Sequence, residues 1–320
     1  MKSNPAKTEG ASADIRRKAL ELGFSKVGIV RAEPLAEAEA RLRQWLARGF
    51  AGEMKWMARD PAQRVDPRKL FAAARSVIVV GLNYYTPHQH TVKNAEATGK
   101  VSRYAWGDDY HDILGDRLRA LLDWIREQWP AAEGKVCVDI QPIMDKAWGE
   151  RAGIGWIGKH TNLITQEYGS WVFIGELLLN LELEYDELEV ADQCGSCTLC
   201  LEACPTKAIV EPYVVDANLC ISHATIESRA AEMRADVAAH LEGWLYGCDI
   251  CQDVCPWNQM TPLTKEARFE PRAGNVNASL SEILDLTQDS YAARFRRSAM
   301  KRAKLAGLQR NARALQNSPR

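Results

Sequence analysis

The sequence predicts an α+β fold in three parts: strands and helices alternating over residues 13–185, a compact cysteine-rich module over 186–262, and a short basic helical segment over 263–320. Three observations carry this. Ser76–Leu82 (SVIVVGL) is a near-continuous β-branched run of the kind that lies inside a sheet. Helical apolar spacing precedes and follows it. Eight of the nine cysteines fall between Cys194 and Cys255.

Taken in order, residues 1–12 read as a disordered leader. Ala13–Leu22 has helical period through Ile15, Ala19, Leu20 and Leu22, with Gly23 placed as its stop. Phe24–Val30 reads as a strand. Leu35–Arg48 is an amphipathic helix with Ala36, Ala40, Leu42, Trp45 and Leu46 on its apolar side. Met54–Arg68 holds a short helix and a turn. Pro87–Val101, with His88 and His90, is polar and reads as a loop. A helix then runs to about Trp129, with Asp109 as its natural N-cap. Lys135–Ile140 is a strand, Met144–Ala152 a helix that ends in a glycine-rich stretch, and Ser170–Leu178 a further strand. Everything after Thr261 is expected to be helical.

Of the 320 residues, 46% are hydrophobic and 26% charged, an ordinary globular composition. The net charge of -1 hides an asymmetry: Tyr291–Arg320 carries nine Lys or Arg and no Asp or Glu. No apolar run approaches the roughly eighteen residues needed to span a bilayer. Met1–Ala13 has no export signature. A cytoplasmic, monomeric protein that does not use the membrane is expected.

The first cysteine run, Cys194, Cys197, Cys200, Cys204 and Pro205, reads C-x2-C-x2-C-x3-C-P, the spacing of a protein holding two [4Fe–4S] clusters. Three thiolates come from one tight loop, and the fourth points to the other cluster from a helix start, where proline has no N–H to lose. The second run, Cys248, Cys251, Cys255 and Pro256, lacks a near first cysteine, a role Cys220 can fill. One cluster is therefore assigned to Cys194, Cys197, Cys200 and Cys255, the other to Cys204, Cys220, Cys248 and Cys251. Zinc also takes C-x2-C pairs, but has no need of a third cysteine and x3-C-P. Disulfides would want an oxidising compartment. Cys137, outside the array, reads as a buried small hydrophobe.

Two clusters form a short wire, and some 190 residues precede them, so electrons are expected to reach a site in the larger domain. Gly153-Ile-Gly155-Trp-Ile-Gly158 has the letters G-x-G-x-x-G but ends a helix rather than opening one, which argues against a dinucleotide. Asp109-Tyr-His111 is similar to a cobalt-ligating D-x-H motif, but its glycine, Gly115, falls one residue late.

As a set, Arg103–His111, Val138–Pro142, Glu150–His160, Gly169–Trp171, the cysteine runs, Ala208–Tyr213, Cys220–Glu227 and Tyr246–Asn258 resemble the epoxyqueuosine reductase family over about residues 13–315. The resemblance implies a nitroreductase-like corrinoid-binding domain followed by a dicluster ferredoxin-like module. It implies reduction of the epoxide of epoxyqueuosine in tRNA to queuosine, with cobalamin and two [4Fe–4S] clusters. It makes Asp139 the proton donor, and a carboxyl closing an apolar strand is expected to be desolvated and raised in pKa. Cobalamin contacts are expected from Arg103, Tyr104, Asp139, Trp156, Gly158, Lys159, His160, Gly169 and Ser170. Ser222, Tyr246, Gly247 and Asp249 are expected to add to them from the cluster side, with no protein histidine on cobalt.

The basic residues Arg294, Arg296, Arg297, Lys301, Arg302, Lys304, Arg310 and Arg313 recur at spacings expected to place several of them on one helical face that meets tRNA phosphates. An external donor of flavodoxin or ferredoxin type would supply electrons. Two other readings compete: a reductive dehalogenase-like corrinoid reductase of a small molecule, and an electron-transfer protein with no substrate of its own.

Overall fold

The computed structural model describes residues 10–90, 97–186 and 190–317. α1 (Ala11–Glu21) leads into β1 (Lys26–Arg31), and α2 (Ala36–Ala47) and α3 (Pro61–Val65) precede β2 (Ser76–Asn83). Next come β3 (Thr98–Val101), α4 (Tyr110–Gln128), β4 (Gly134–Cys137) and α5 (Asp145–Arg151). The short pair β5 (Trp156–Ile157) and β6 (Leu163–Ile164) is followed by β7 (Val172–Leu179). Four of these strands form an antiparallel sheet of order β1-β2-β7-β4. With β2 central and both faces covered, every one of its residues is buried. Ile78, Val80 and Leu82 pack with Ile15 of α1 and Leu114 and Leu118 of α4. The alternate residues Val77 and Val79 pack with Trp148 of α5 and with Cys137. Burial on both faces, rather than parallel pairing, explains the unbroken apolar run.

The cysteine-rich stretch contains α6 (Leu199–Ala203), a hairpin of β8 (Ile209–Glu211) and β9 (Val214–Val215), and α7 (Ile221–Ile226). It continues through α8 (Ala235–Ala238), β10 (Trp244–Tyr246) and α9 (Ile250–Asp253). Beyond it lie β11 (Asn277–Ser279), α10 (Leu280–Leu284), α11 (Gln288–Arg294) and α12 (Lys304–Asn317). β3 pairs in parallel with β10 and antiparallel with β11, so a second sheet joins three distant parts of the chain. Trp106, Tyr246, Phe295, Met300 and Leu308 fill the core beneath it.

Several expectations need correction. Ala11 and Ser12 open α1 and are buried rather than belonging to a leader; residues 1–9 lie outside the described ones. Thr98–Val101 is a strand because it has partners on both sides, while residues 91–96 of the expected loop are outside the described ones. His90 is held between the edges of Trp106 and Trp244. The strand expected over Lys135–Ile140 stops at Cys137, since Asp139 turns into the left-handed region at φ 55°. The segment after Thr261 is not all helical, because β11 completes the second sheet. Among the described residues no helix is long and apolar enough to cross a membrane.

Candidate active site

The start of α4 builds the first part of the site. Asp109 caps the helix by accepting from the His111 amide at 3.1 Å, and the same oxygen lies 2.6 Å from His111 Nδ1. Tyr110 is fixed by parallel stacking on Phe173 of β7, with ring centroids 4.3 Å apart. Its hydroxyl donates to Asp139 Oδ2, and His111 Nε2 lies 3.3 Å from that oxygen. Burial alone would push His111 down, but a carboxylate at each ring nitrogen raises it to about 9. At neutral pH it is an imidazolium.

Asp139 behaves opposite to expectation. Its side chain is 59% exposed toward the cavity described below, so the desolvation that pushes the carboxyl up is partial, and hydrogen bonds from His111 and Tyr110 with the charges of His111 and Lys146 hold it below the usual carboxylate range. Its backbone is set by a compact turn: the Val138 amide donates to Gln141 Oε1 at 2.8 Å, and the Asp139 amide reaches Asp145 Oδ1 at 3.3 Å. Aspartate tolerates the left-handed conformation better than most residues. The turn leaves Ile140 75% exposed at the lip of a cavity.

That cavity has a volume of about 3030 Å³ and is lined by Asp139, Tyr110, His111, Tyr104, Tyr246, Lys146, His160, Ser170 and Ser222. Cys204, Cys220, Cys248 and Cys251 line it as well. The other four cysteines of the array, Cys194, Cys197, Cys200 and Cys255, surround a separate cavity of about 270 Å³. Lys159 lines this small cavity and clamps its loop, donating to Gly195 O at 2.6 Å and Cys197 O at 2.9 Å. Trp156 is buried beside Cys194 and Cys255 and packs edge-on against Trp257. His160 lines both cavities. Burial, aided by Lys146, pushes His160 down to about 4, so the ring is neutral, and its buried Nε2 has no partner among the described residues.

The remaining residues singled out in the sequence divide into cavity walls and supports. Tyr104 donates to the Tyr246 hydroxyl at 3.0 Å, and Tyr246 donates to Ala299 O at 2.6 Å, so two cavity-lining rings are fixed by one chain of bonds. Ser170 donates from its amide to Asn258 Oδ1 at 2.7 Å and from its hydroxyl to Gln252 Oε1 at 2.9 Å. Gly169 sits at φ 55°, where a side chain would collide with Asn258. Gly158 donates to Asn162 O at 2.9 Å in the turn that presents His160.

Arg103, Gly247 and Asp249 lie behind the cavity rather than on its wall. Asp249 accepts from Ser102 Oγ at 2.5 Å and from the Arg103 amide at 2.7 Å, tying the second cysteine run to the segment before α4. The Arg103 guanidinium stacks among Tyr85, Trp106 and Trp171 and donates to Thr86 O. Gly247, at φ 69°, donates to Thr225 Oγ1 at 3.0 Å and would meet Ser102 if it carried a side chain.

Sequence reasoning missed Tyr110, Asp145 and Lys146, and it gave His111 no part in proton transfer. The sole local signal was an Asp-Tyr-His run at a helix start. Lys146 donates to Thr161 O at 3.1 Å and Asn162 Oδ1 at 2.8 Å, joining α5 to the His160 turn.

The C-terminal cations also divide. Arg310 is buried and donates to Ala224 O at 2.6 Å and Ala230 O at 3.0 Å, so it is a core residue rather than a phosphate contact. Arg294, Arg297 and Arg302 pair with Glu282, Asp112 and Glu227. Lys301 and Lys304 are exposed at the cavity rim, without a carboxylate partner among the described residues.

Known proteins match the chain along most of its length. Residues 64–140 match the family model described as Epoxyqueuosine reductase QueG, DUF1730, and residues 193–258 match a 4Fe-4S double cluster binding domain. The chain is 50% identical over 279 residues to an epoxyqueuosine reductase of Synechocystis sp., covering 87% of this chain and 95% of that protein. A solved epoxyqueuosine reductase with an epoxyqueuosine-modified tRNA-Tyr stem loop is similar at TM-score 0.90 and 30% identity, over 97% of this chain and 81% of that one. A Bacillus subtilis epoxyqueuosine reductase, solved with its catalytic aspartate loop swung out of the active site, is similar at TM-score 0.88 and 28% identity, over 97% of this chain and 82% of that one.

Fold and site together define an iron–sulfur oxidoreductase of mixed α/β architecture. Its 4Fe-4S double cluster domain follows the sheet that carries the candidate active site. The chain belongs to the epoxyqueuosine reductase family.

Proposed function

We propose that this enzyme reduces the epoxide of epoxyqueuosine at the wobble position of tRNA to the alkene of queuosine, using cobalamin and two [4Fe–4S] clusters. The observation that carries the reading is one continuous cavity, lined both by the Asp139–Tyr110–His111 cluster and by Cys204, Cys220, Cys248 and Cys251. At about 3030 Å³ it exceeds the usual range for small-ligand pockets, roughly 300–1,000 Å³, and leaves room for a corrinoid and a nucleoside together.

The residues present fit these groups. Two sets of four thiols suit two clusters. Tyr104, His160, Ser170, Ser222 and Tyr246 would hold cobalamin, and the unpartnered His160 Nε2 leaves a buried polar atom free for a ligand. Arg103, Gly247 and Asp249 would support that wall from behind, and Trp156, Gly158, Lys159 and Gly169 would fix the loops beneath it. When bound, cobalamin supplies a reduced cobalt centre for carbon–oxygen cleavage.

The overall change consumes two electrons and two protons and releases the epoxide oxygen as water. Oxygen leaves poorly as an alkoxide, so it needs a proton as the bond breaks. Asp139 would give it. The resting proton sits on His111, raised to about 9 between Asp109 and Asp139, and Tyr110 donates to the same Asp139 oxygen. As negative charge develops on the departing oxygen, Asp139 would pass on the proton drawn from His111; the second proton that completes water, and the one that restores His111, would come from solvent in the cavity. Lys301 and Lys304 at the rim, with Arg296 and Arg313, would bind tRNA phosphates. Electrons would enter from a soluble flavodoxin- or ferredoxin-type donor.

The test uses anaerobic, cluster-reconstituted protein, a reductant and epoxyqueuosine-containing tRNA, with nucleosides read by mass spectrometry. Queuosine formed only with cobalamin is the expected result. Intact clusters and bound corrinoid without product would overturn the assignment of substrate.

A further inference from the structure

Beneath the Asp139 turn lies a second pair of acids that proton delivery does not use. Glu176 stands in the middle of β7, fully buried, directly across the sheet from Val79 of β2 and Cys137 of β4. Neither of its carboxyl oxygens finds a donor among the described residues. The group that faces it is the side chain of Asp145, the first residue of α5, and a carboxylate oxygen is itself an acceptor. Glu176 is fully buried and Asp145 is half-buried at the cavity wall, and two acceptors that face each other there with no cation between them are held together by a proton. Asp145 Oδ1 is also the acceptor for the Asp139 amide, at 3.3 Å. One carboxyl therefore touches both the buried Glu176 and the backbone of a residue held at φ 55°.

We propose that Asp145 and Glu176 share a single proton, and that the protonated pair is the device that positions the Asp139 turn against the cavity. This rests on the reading of Asp139 as the acid of the reaction, and gives that acid a support controlled by a different proton. Loss of the shared proton would put two charges side by side in the core, with Asp139 as a third nearby. Repulsion would drive Asp145 from Glu176 and loosen the bond to the Asp139 amide.

The surroundings favour the protonated state. Burial and the charge of Asp139 raise Asp145 to about 7, and burial with Asp145 beside it raises Glu176 well above the usual carboxylate range. Cys137, across β4, is pushed up to about 12 by burial and by Glu176, and supplies no charge. Lys146 on α5 and Arg64 on α3 are the cations nearby, but Lys146 bonds to Thr161 O and Asn162, and Arg64 to Trp56 O. His111 and Tyr110 reach Asp139 from α4 and direct their bonds to its side chain, not to the pair.

The test compares wild type, Glu176→Gln and Asp145→Asn, each loaded with clusters and cobalamin. Glutamine gives Asp145 a permanent N–H donor. Asparagine keeps an acceptor for the Asp139 amide and donates to Glu176. Amide hydrogen exchange over residues 138–144 is read at about pH 6 and about pH 8.5, corrected for the intrinsic pH dependence of exchange. Wild-type protection is expected to fall about tenfold or more between the two, together with a drop of similar size in single-turnover rate at saturating tRNA. Both variants should keep the turn protected at both values and lose the pH dependence of the rate. An identical pH response of exchange in wild type and Glu176→Gln would overturn the proposal. Exchange does not depend on catalysis. Full activity of Asp139→Asn would remove the proton-donor reading while the exchange data still judged the acid pair.

Discussion

His111 Nε2 stands 3.3 Å from Asp139 Oδ2, and this contact reverses the direction in which burial would move the carboxyl. A desolvated aspartate by itself would hold its proton. Beside an imidazolium and a phenol it yields the proton and keeps the geometry. His111→Gln removes the stored proton and one of the two donors to Asp139. General acids contribute roughly 10²–10⁴-fold, and a loss of at least about tenfold in single-turnover rate is expected, with tRNA affinity retained. Rapid-quench nucleoside analysis checks this; a wild-type rate would remove His111 from proton delivery.

The same pair makes stability depend on pH in a defined window. His111 rises from its ordinary 6.5 to about 9 on folding, so its contribution is complete below about 6.5 and is lost as pH climbs through about 9. Asp139 is lowered, so its contribution is present above the ordinary aspartate value and is lost as pH falls through its folded value. The Tm difference between wild type and His111→Gln should therefore be largest between about pH 5 and 6.5 and shrink steadily toward about pH 9. Scanning fluorimetry across that range provides the measurement. A difference that grows with pH would contradict the ion-pair reading.

Arg310 illustrates how composition misleads about location. Its guanidinium serves Ala224 O, Ser228 O and Ala230 O, while the neighbouring Asn311 donates to Thr225 O and Leu245 O, so α12 is bonded into the cysteine-rich region. Arg310→Met keeps the apolar stem but strands three carbonyls, at a cost of about 3 kcal/mol. For a chain of this size that lowers Tm by roughly 4–5 °C. Arg313, exposed on the same helix, should tolerate the same change within about 0.5 kcal/mol. Thermal unfolding of the two cluster-loaded variants side by side gives the comparison.

These cases mark where the sequence was legible. β2 and the Asp109 cap could be read because their signals are local: a β-branched run, and a capping residue before a helix. The cysteine spacing pointed to two groups of four; Cys204, Cys220, Cys248 and Cys251 line the large cavity, and Cys194, Cys197, Cys200 and Cys255 the small one. Asp139 looked like a strand end because Val136, Cys137 and Val138 are apolar; nothing local shows that Asp145 and Gln141 bend the chain there. β10 and β11 are three residues each and exist only because β3 lies between them. His111 acquires much of its charge from Asp139, which is distant in the chain, a partnership without any sequence period. Arg310 carries the same letter as its exposed neighbours.

Of the C-terminal cations, Lys301 and Lys304 stand exposed at the cavity rim without a carboxylate partner among the described residues. If they meet tRNA phosphates, each Lys→Gln change removes one released counterion. The slope of log affinity against log salt should then fall by about 0.7–0.9 per substitution, with a larger affinity loss at low salt than at high salt. Fluorescence anisotropy with a labelled stem loop at several salt concentrations is sufficient. An unchanged slope would place the phosphate path elsewhere on the surface.

The pairing of cysteines can be separated from their mere presence. Cys255 lies with Cys194, Cys197 and Cys200 around the small cavity, although a long stretch of chain separates it from those three. Cys204 follows Cys200 closely in sequence but faces the large cavity with Cys220, Cys248 and Cys251. Cys255→Ala should therefore lower iron from about eight to about four per chain and abolish the cluster of the small cavity alone. Cys204→Ala should spare that cluster and damage the one beside the active-site cavity. Iron analysis gives the stoichiometry, and electron paramagnetic resonance of the reduced proteins distinguishes two interacting clusters from one isolated cluster. The route of the electrons is the second criterion. If a protein donor delivers its electrons to a cluster at the small cavity, Cys255→Ala should still complete a single turnover from a small, strong chemical reductant but fail with that donor. Cys204→Ala should fail with both. If Cys204→Ala were instead the variant that lost the cluster of Cys194, Cys197 and Cys200, the pairing would follow chain order rather than the two cavities.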